Sequence, residues 1–336
     1  LLRPKAAVKC SKAESMDFTP AALEQATAEA VAVYRAQRFA QAGMQLVADV
    51  GCGIGGDALG LTAVAEVIGI DLDNIRLHMA QENMRAYGRN GRFHPLQADI
   101  QTLPPLPVAG LFFDPARRDE YGKRIYSVEG YRPPLRSINR WREQVGGTAV
   151  KISPGVHYNE IPSDAEIEFI SLNGDVKEGV LWFGALRTAA ERRATLLPSG
   201  ATLVNQAHPA IPISEPLAYL YEPDGAVIRA HLVEELAQQL NSCKIDPNIA
   251  YLTADSYQPT PFARCFQVEA AFPFQLKRLR TYLRQHQIGN VTIKKRGSPL
   301  EPDWLRKQLR LKGKAHRLLF LTQVKEKATV LIAQPL

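Results

Sequence analysis

Long apolar runs are missing from this 336-residue chain. No stretch approaches the roughly 18 consecutive apolar residues that a membrane-spanning helix needs, so a membrane protein is not expected. Cysteine is scarce and scattered: Cys10, Cys52, Cys243 and Cys265 show no C-x-x-C spacing and have no histidine cluster beside them. A disulfide framework and a structural zinc site are thereby not expected, and neither is any other metal. Residues 1–16, LLRPKAAVKCSKAESM, have no apolar core of the kind a secretory signal carries, which makes a reducing cytoplasm the expected location. No internal repeat or low-complexity segment occurs, and the absence of an initial Met suggests a trimmed chain. Nothing in the sequence fixes an oligomeric state.

Acids are nearly absent from one segment. Residues 275–317 hold thirteen Lys and Arg against Glu301 and Asp303, while the whole chain carries a net charge of +7, so the remainder is net negative. Such a block is the footprint of a protein that meets phosphate backbones. The plainer reading is a solvated basic face. Lys294, Lys295 and Arg296 are the candidate RNA contacts within it.

The patterning of the rest predicts an α/β protein. Residues 19–40 read as a helix, with Thr19 as its cap and Pro20 at its first position. From residue 44, strands and helices alternate. MQLVADV, EVIGIDL, FHPLQAD, AGLFFDP, GTAVKIS, AEIEFISL and EGVLWFGAL predict seven strands, with helices over about 57–65, 74–88 and 134–145. This implies a doubly wound, Rossmann-like sheet. After residue 190 prolines cluster, an amphipathic helix reads over 226–240, and a basic helix over 274–287 precedes further strands and a helix. The expected organisation is a helical segment over 1–43, a sheet domain over 44–190 and a smaller basic α/β domain over 191–336.

The stretch ADVGCGIGGDALGL carries G-x-G-x-x-G at Gly51, Gly53 and Gly56. That pattern usually cradles a dinucleotide pyrophosphate. Acids, however, fall at four successive strand ends: Asp49, Asp71, Asp99 and Asp114. A nicotinamide dinucleotide needs only the one that reaches a ribose, and Asp71 stands at the usual distance for it. S-adenosylmethionine uses more: an acid near the glycine loop for its ammonium group, and another for its adenine amine. The plainer readings are a tight turn for the glycines and a helix cap for Asp99.

DVGCGIGGD, GIDLD, QADI and FFDPARRD resemble, in order, the first four motifs of class I S-adenosylmethionine-dependent methyltransferases, across residues 44 to about 188. The resemblance implies S-adenosyl-L-methionine as cofactor. It places Gly51 and Gly53 beneath the cofactor, Asp49 toward its ammonium, Asp71 with Leu72 at the ribose, and Asp99 with Ile100 at the adenine. DPARRD then falls where the target-facing motif is expected. Methyltransferases of base amines carry an acid or amide, two prolines and an aromatic there. This chain keeps Asp114 and Pro115 but has Ala116 and Arg117 in the remaining places. DPAR is also similar to the motif of the uracil-5 RNA methyltransferases. Those need a cysteine nucleophile after the fifth strand, and here that strand ends in Lys151, Ile152 and Ser153.

Carbon-5 chemistry is therefore disfavoured. The expected catalytic set is Asp114, Pro115 and Arg117: Asp114 accepts a hydrogen bond or proton from a nitrogen, and Arg117 stacks on a base or holds a phosphate. The plainer alternatives are a structural cap for Asp114 and an ion pair with Asp119 or Glu120 for Arg117. Tyr121, Tyr126 and Tyr131 are candidates for the missing stacking ring, or else packing residues. The C-terminal segments FPFQLKRLRTYLR, NVTIKKRG and LRKQLRLKG resemble the THUMP-like domain attached to some bacterial methyltransferases, which adds structured RNA, tRNA or rRNA, as expected partner. The first half is also similar to the guanine-N2 methyltransferase group. An RNA base N-methyltransferase is the leading expectation. A small-molecule or protein methyltransferase, and an RNA-binding protein with a silent cofactor site, are the alternatives.

Overall fold

Strands β1 (Leu46–Val50), β4 (Gly110–Phe113) and β5 (Gly147–Ile152) are apolar along nearly their whole length because both faces of the sheet are covered. In the computed structural model, which describes residues 2–118, 122–123 and 125–336, they form the middle of a nine-stranded sheet. The order is β3-β2-β1-β4-β5-β7-β6-β8-β9, where β2 is Glu66–Asp71, β3 Phe93–Gln97, β6 Glu166–Leu172, β7 Asp175–Gly184, β8 Arg192–Leu197 and β9 Ala201–Val204. The first five strands pair in parallel, and β7 runs antiparallel to both its neighbours. Strand order reverses between β1 and β4, so the crevice at their carboxyl ends is the expected ligand position of an open α/β sheet.

The seven expected strands are present. β8 and β9 continue the same sheet, because β8 pairs in parallel with β6 from Ile167↔Arg192 to Leu172↔Leu197. The chain accordingly divides into compact units 1–204 and 205–336, which places the division beyond residue 190. The N-terminal segment is likewise part of the first unit. The expected helix over 19–40 is two helices, α2 (Pro20–Gln25) and α3 (Glu29–Gln41), following the short α1 (Arg3–Ala7). Thr19 caps α2 by accepting from the Ala22 N–H. The break at Ala26–Ala28 turns the Thr27 hydroxyl inward to Lys151, 2.6 Å away. Lys9 stabilises the break by donating to the carbonyls of Leu23, Glu24 and Ala26, which α2 leaves unsatisfied at its end.

Helix α4 (Ala58–Leu61) is shorter than expected and lies so close to α3 that a Cβ on Gly60 would run into the Ala32 carbonyl. Helix α5 (Asn74–Ala86) is capped by Asp73. Its Asn83 donates to the Ile54 carbonyl and accepts from the Asp17 N–H, tying the N-terminal segment to the glycine loop. The helix expected over 134–145 is a 3-10 turn over Leu135–Ile138 followed by the short α6 (Asn139–Arg142).

The second unit is a seven-stranded sheet of order β11-β12-β10-β13-β16-β15-β14. Its strands are β10 (Tyr219–Pro223), β11 (Cys243–Lys244), β12 (Leu252–Ala254), β13 (Ala263–Pro273), β14 (Ile288–Lys295), β15 (Ala315–Val324) and β16 (Lys327–Pro335). The single helix expected over 226–240 is split into α7 (Gly225–Arg229) and α8 (Val233–Gln239) by His231, whose φ of 55° no helix accommodates. Helices α9 (Leu276–Gln285) and α10 (Pro302–Leu309) drive Leu279, Leu283, Leu305 and Leu309 into one core with Phe272 and Ile332. No helix among the described residues is long and apolar enough to cross a membrane, and none of their side chains cluster as a metal site.

Candidate functional site

After β1 the chain must reverse beneath the end of β4. Gly51 does this at a φ of 78°, and a Cβ there would collide with the Asp114 carbonyl, so both conformation and space demand glycine. The N–H groups of Gly51 and Cys52 donate to the Ile70 carbonyl at 2.8 and 3.2 Å, fastening the turn to β2. Gly53 also takes a positive φ, of 54°, and a Cβ there would meet no atom within 4 Å.

Asp71 ends β2, and its carboxylate is pinned by two backbone donors, Gly53 N–H and Asp73 N–H, each at 2.9 Å. Leu72 beside it is 65% exposed. Asp99 follows β3 and caps the next turn through Oδ1, which accepts from Gln101 N–H at 2.9 Å, while Ile100 is buried. The capping geometry anticipated for Asp99 is therefore present, on a turn instead of a helix.

Behind the glycine loop lies a buried ionic cluster. Asp49 is fully buried, and neither of its oxygens has a hydrogen-bond partner among the described residues. Burial, then the charges of Asp57 and Asp114, push its carboxyl well above the usual range. Asp57 is bound by Arg35 and lies 3.4 Å from Lys151 Nζ. Burial alone would raise its pKa, but these two cations hold it below the ordinary carboxylate range. Arg35 sits over the Phe112 ring at 4.4 Å, with its Nε 2.8 Å from Glu178, whose own carboxyl is raised by burial. Lys151 donates to Asp114 Oδ2 at 2.7 Å. Burial works to discharge that ammonium, but Asp114 and Asp57 outweigh it and keep the lysine charged. The cluster thus sets four carboxyls, those of Asp49, Asp57, Asp114 and Glu178, against the two bases Arg35 and Lys151, and burial works against ionising two of them, Asp49 and Glu178.

Asp114 stands at the rim of this cluster, where its side chain keeps 19% of its exposure. Pro115 is buried, and Ala116 pairs backbone to backbone with Arg132, closing the base of the loop between them. Arg117 donates to the Ile152 carbonyl at 2.9 Å. Asp119, Glu120 and Tyr121, named above as partners or stacking candidates, lie outside the described residues. Tyr131 is buried and accepts from Ser153 N–H at 2.9 Å, which makes it a packing residue, whereas Tyr126 lies exposed over Gly155. Lys294, Lys295 and Arg296 are each engaged within the second unit: Lys294 with Glu222, Lys295 with Glu301 at 2.6 Å, and Arg296 with the Ala250 carbonyl at 2.8 Å.

Sequence reasoning missed Arg35, Asp57 and Glu178. Asp57 directly follows the glycine loop, which was a usable signal. Arg35 and Glu178 gave none, since a charged residue on a helix or strand normally reads as solvated.

Comparison with known proteins places this geometry. A model of the methyltransferase domain matches residues 47–114, and one described as THUMP domain-like matches residues 263–335. An uncharacterised S-adenosylmethionine-dependent methyltransferase of Mycobacterium tuberculosis (strain CDC 1551 / Oshkosh) is 35% identical over 315 residues, 91% of this chain and 84% of the relative. The chain belongs to the S-adenosylmethionine-dependent methyltransferases. A counterpart in strain H37Rv of the same organism matches to the same extent. A crystal structure of a candidate methyltransferase from Porphyromonas gingivalis W83 has the same fold, with a TM-score of 0.83 over 99% of this chain and 88% of that one, at 20% identity. The residues of this methyltransferase fit S-adenosylmethionine. The buried carboxyl of Asp49 has no hydrogen-bond partner among the described residues, which suits a ligand that brings an ammonium group, and the loop at Gly53 is open enough that even a Cβ there would meet no atom within 4 Å.

Proposed function

We propose that this methyltransferase modifies a nitrogen of a base in structured RNA, tRNA or rRNA, and that Asp114 is its catalytic acceptor. The observation that carries the reading is the clamp on Asp114. Lys151 holds one oxygen at 2.7 Å, at the strand-order reversal of the sheet, while the side chain stays partly exposed. A fixed carboxylate at that place accepts a hydrogen bond from an amine and takes the proton that the nitrogen gives up. When bound, S-adenosylmethionine supplies an electrophilic methyl on a good leaving group, so the protein's own task is alignment. Gly51 and Gly53 lie beneath the cofactor in this reading, with Asp49 toward its ammonium, Asp71 and Leu72 at its ribose, and Asp99 and Ile100 at its adenine. Pro115 stiffens the target loop, and Arg117, anchored at Ile152, supports it beside the base.

Nitrogen is favoured over carbon-5 because the fifth strand ends in Lys151, Ile152 and Ser153 with no cysteine following it, and the Ser153 hydroxyl meets only the Gly155 N–H among the described residues. The basic THUMP-like unit supports RNA as the substrate class. Mass spectrometry of nucleosides from cells with and without the gene tests the reading. One methylated nucleoside should disappear in its absence. It should return with the wild-type chain and not with Asp114→Ala. An unchanged nucleoside profile would move the substrate to a small molecule or a protein.

A further inference from the structure

The thirteen cations of residues 275–317 fall into two groups. Six have work inside the second unit: Lys294, Lys295 and Arg296 as above, Arg280 on the Gln308 carbonyl, Arg306 on the Val291 carbonyl, and Arg317 on Glu269. The other seven are exposed, and none makes a side-chain hydrogen bond or ion pair among the described residues: Lys277, Arg278, Arg284, Lys307, Arg310, Lys312 and Lys314.

The free group is not scattered. Leu279 and Leu283 face the core from α9, so Lys277, Arg278, Thr281 and Arg284 form the opposite stripe at helical spacing. Helix α10 packs into the same core through Leu305 and Leu309, and Arg280 ties it to α9 through Gln308. The outward faces of both helices, with the turn after α10, are therefore one surface. Its acids are Asp303 and Glu301, the latter already paired with Lys295. Two flat groups lie among these cations. Trp304 on α10 is 48% exposed, although a tryptophan ordinarily belongs in the core. Arg278 stacks on Phe272 at 4.5 Å, at the side of a cleft of about 610 Å³ between α9 and β13. Uncompensated cations interleaved with exposed planar groups match a polyanion that also presents aromatic faces.

We infer that the outward faces of α9 and α10, and not the Lys294–Arg296 run, grip the RNA, with phosphates on the free cations and unstacked bases on Trp304 and Arg278. The inference rests on RNA being the substrate class. Engaged cations cannot serve as well, because each would first have to leave its internal partner.

Fluorescence anisotropy of the full chain with a labelled RNA hairpin carrying a single-stranded tail, from about 50 to 200 mM salt, tests it. The variants are Lys277→Ala/Arg278→Ala/Arg284→Ala, Lys307→Ala/Arg310→Ala/Lys312→Ala, Trp304→Ala and, as contrast, Lys295→Ala. The Lys307/Arg310/Lys312 variant should flatten the slope of log affinity against log salt by about two to three units and the Lys277/Arg278/Arg284 variant by about one and a half to two, since each lost phosphate contact removes roughly 0.7–0.9 and Arg278 faces a base. Trp304→Ala should lower affinity about fivefold or more with the slope unchanged, because stacking releases no counterions. Lys295→Ala should change neither. Thermal melting should show all the variants folded, their side chains being on the surface. Wild-type binding with unchanged slopes in both triple variants would overturn the α9–α10 grip and leave an RNA substrate standing. A wild-type chain that ignores the hairpin at 50 mM salt would overturn both.

Discussion

The first unit packs Arg35, Asp49, Asp57, Lys151 and Glu178 out of water, whereas the second leaves Lys277, Arg284, Lys307 and Arg310 in it. Charges removed from solvent are held by few, short contacts, and losing one partner strands another in a medium that cannot solvate it. Charges in solvent are individually cheap to remove and are screened over about 10 Å at ordinary ionic strength. The first arrangement suits a task that needs one geometry, such as presenting Asp114 at a fixed place. The second suits capture of a long anion, where many weak contacts add and any one is dispensable. One chain therefore uses the same side-chain chemistry in two physical regimes, and substitutions should tell them apart.

The largest effect is expected from Lys151→Met. The variant removes the ammonium shared by Asp114, Asp57 and Thr27 and leaves the acids behind. It should lose about 3–5 kcal/mol of stability in urea unfolding, by nearly the same amount at low and high salt. Lys307→Ala, the matching deletion on the surface, should stay within about 0.5 kcal/mol. Equal and small losses in the two variants would abolish the distinction between the units.

A smaller effect, on binding, is expected from Asp71→Ala. The carboxylate is already oriented by Gly53 and Asp73 N–H groups, so a ribose diol placed there, as proposed, would meet an acceptor that needs no rearrangement. Calorimetry should show S-adenosylmethionine and S-adenosylhomocysteine binding weakened by about 1–3 kcal/mol, the cost of leaving hydrogen-bonding groups unpaired. An unchanged affinity would remove Asp71 from the cofactor site.

The contrast between the units also explains what could be read from the sequence. The strands of the first sheet were legible because burial on both faces writes them as continuous apolar runs, and the strand-end acids were legible because an acid closing such a run is conspicuous. The division of helix 19–40 was not legible. Ala26, Thr27 and Ala28 continue a helical pattern locally, and the break is held by tertiary contacts, of Thr27 with Lys151 and of Lys9 with the carbonyls of Leu23, Glu24 and Ala26. The same holds for 226–240, where the left-handed turn at His231 interrupts an amphipathic periodicity that runs through it. The extent of the first sheet was hidden for another reason: β8 and β9 lie beyond residue 190, where the change in composition reads as a boundary, and their membership depends on pairing with the edge of β6. The basic block was visible as composition, but which of its cations are free is a property of folding. Glu222, Ala250 and Glu269, which engage Lys294, Arg296 and Arg317, lie far from them in sequence.

The smallest effect concerns Asp49 and has a sign that depends on pH. Its carboxyl is raised in the folded protein by burial first and by neighbouring acids second, and the pull of Arg35 and Lys151 in the other direction does not offset them. Below the ordinary carboxylate range both folded and unfolded chains keep the proton, and the side chain carries no ionic penalty. As pH rises, the unfolded chain ionises first while the buried group resists, so folding loses stability until the raised folded value has been passed. Asp49→Asn escapes that loss. Its melting temperature should match the wild type near pH 4 and exceed it at pH 8, by about 2–4 °C for each kcal/mol relieved. The same substitution should weaken S-adenosylmethionine binding, since the amide brings no charge to meet an ammonium. Opposite signs in the two measurements would mean that the site holds an unpaired acid for its ligand at the expense of its own stability. A variant less stable than wild type at pH 8 would show instead that Asp49 is ionised in the folded protein, held by Arg35 and Lys151 as Asp57 is.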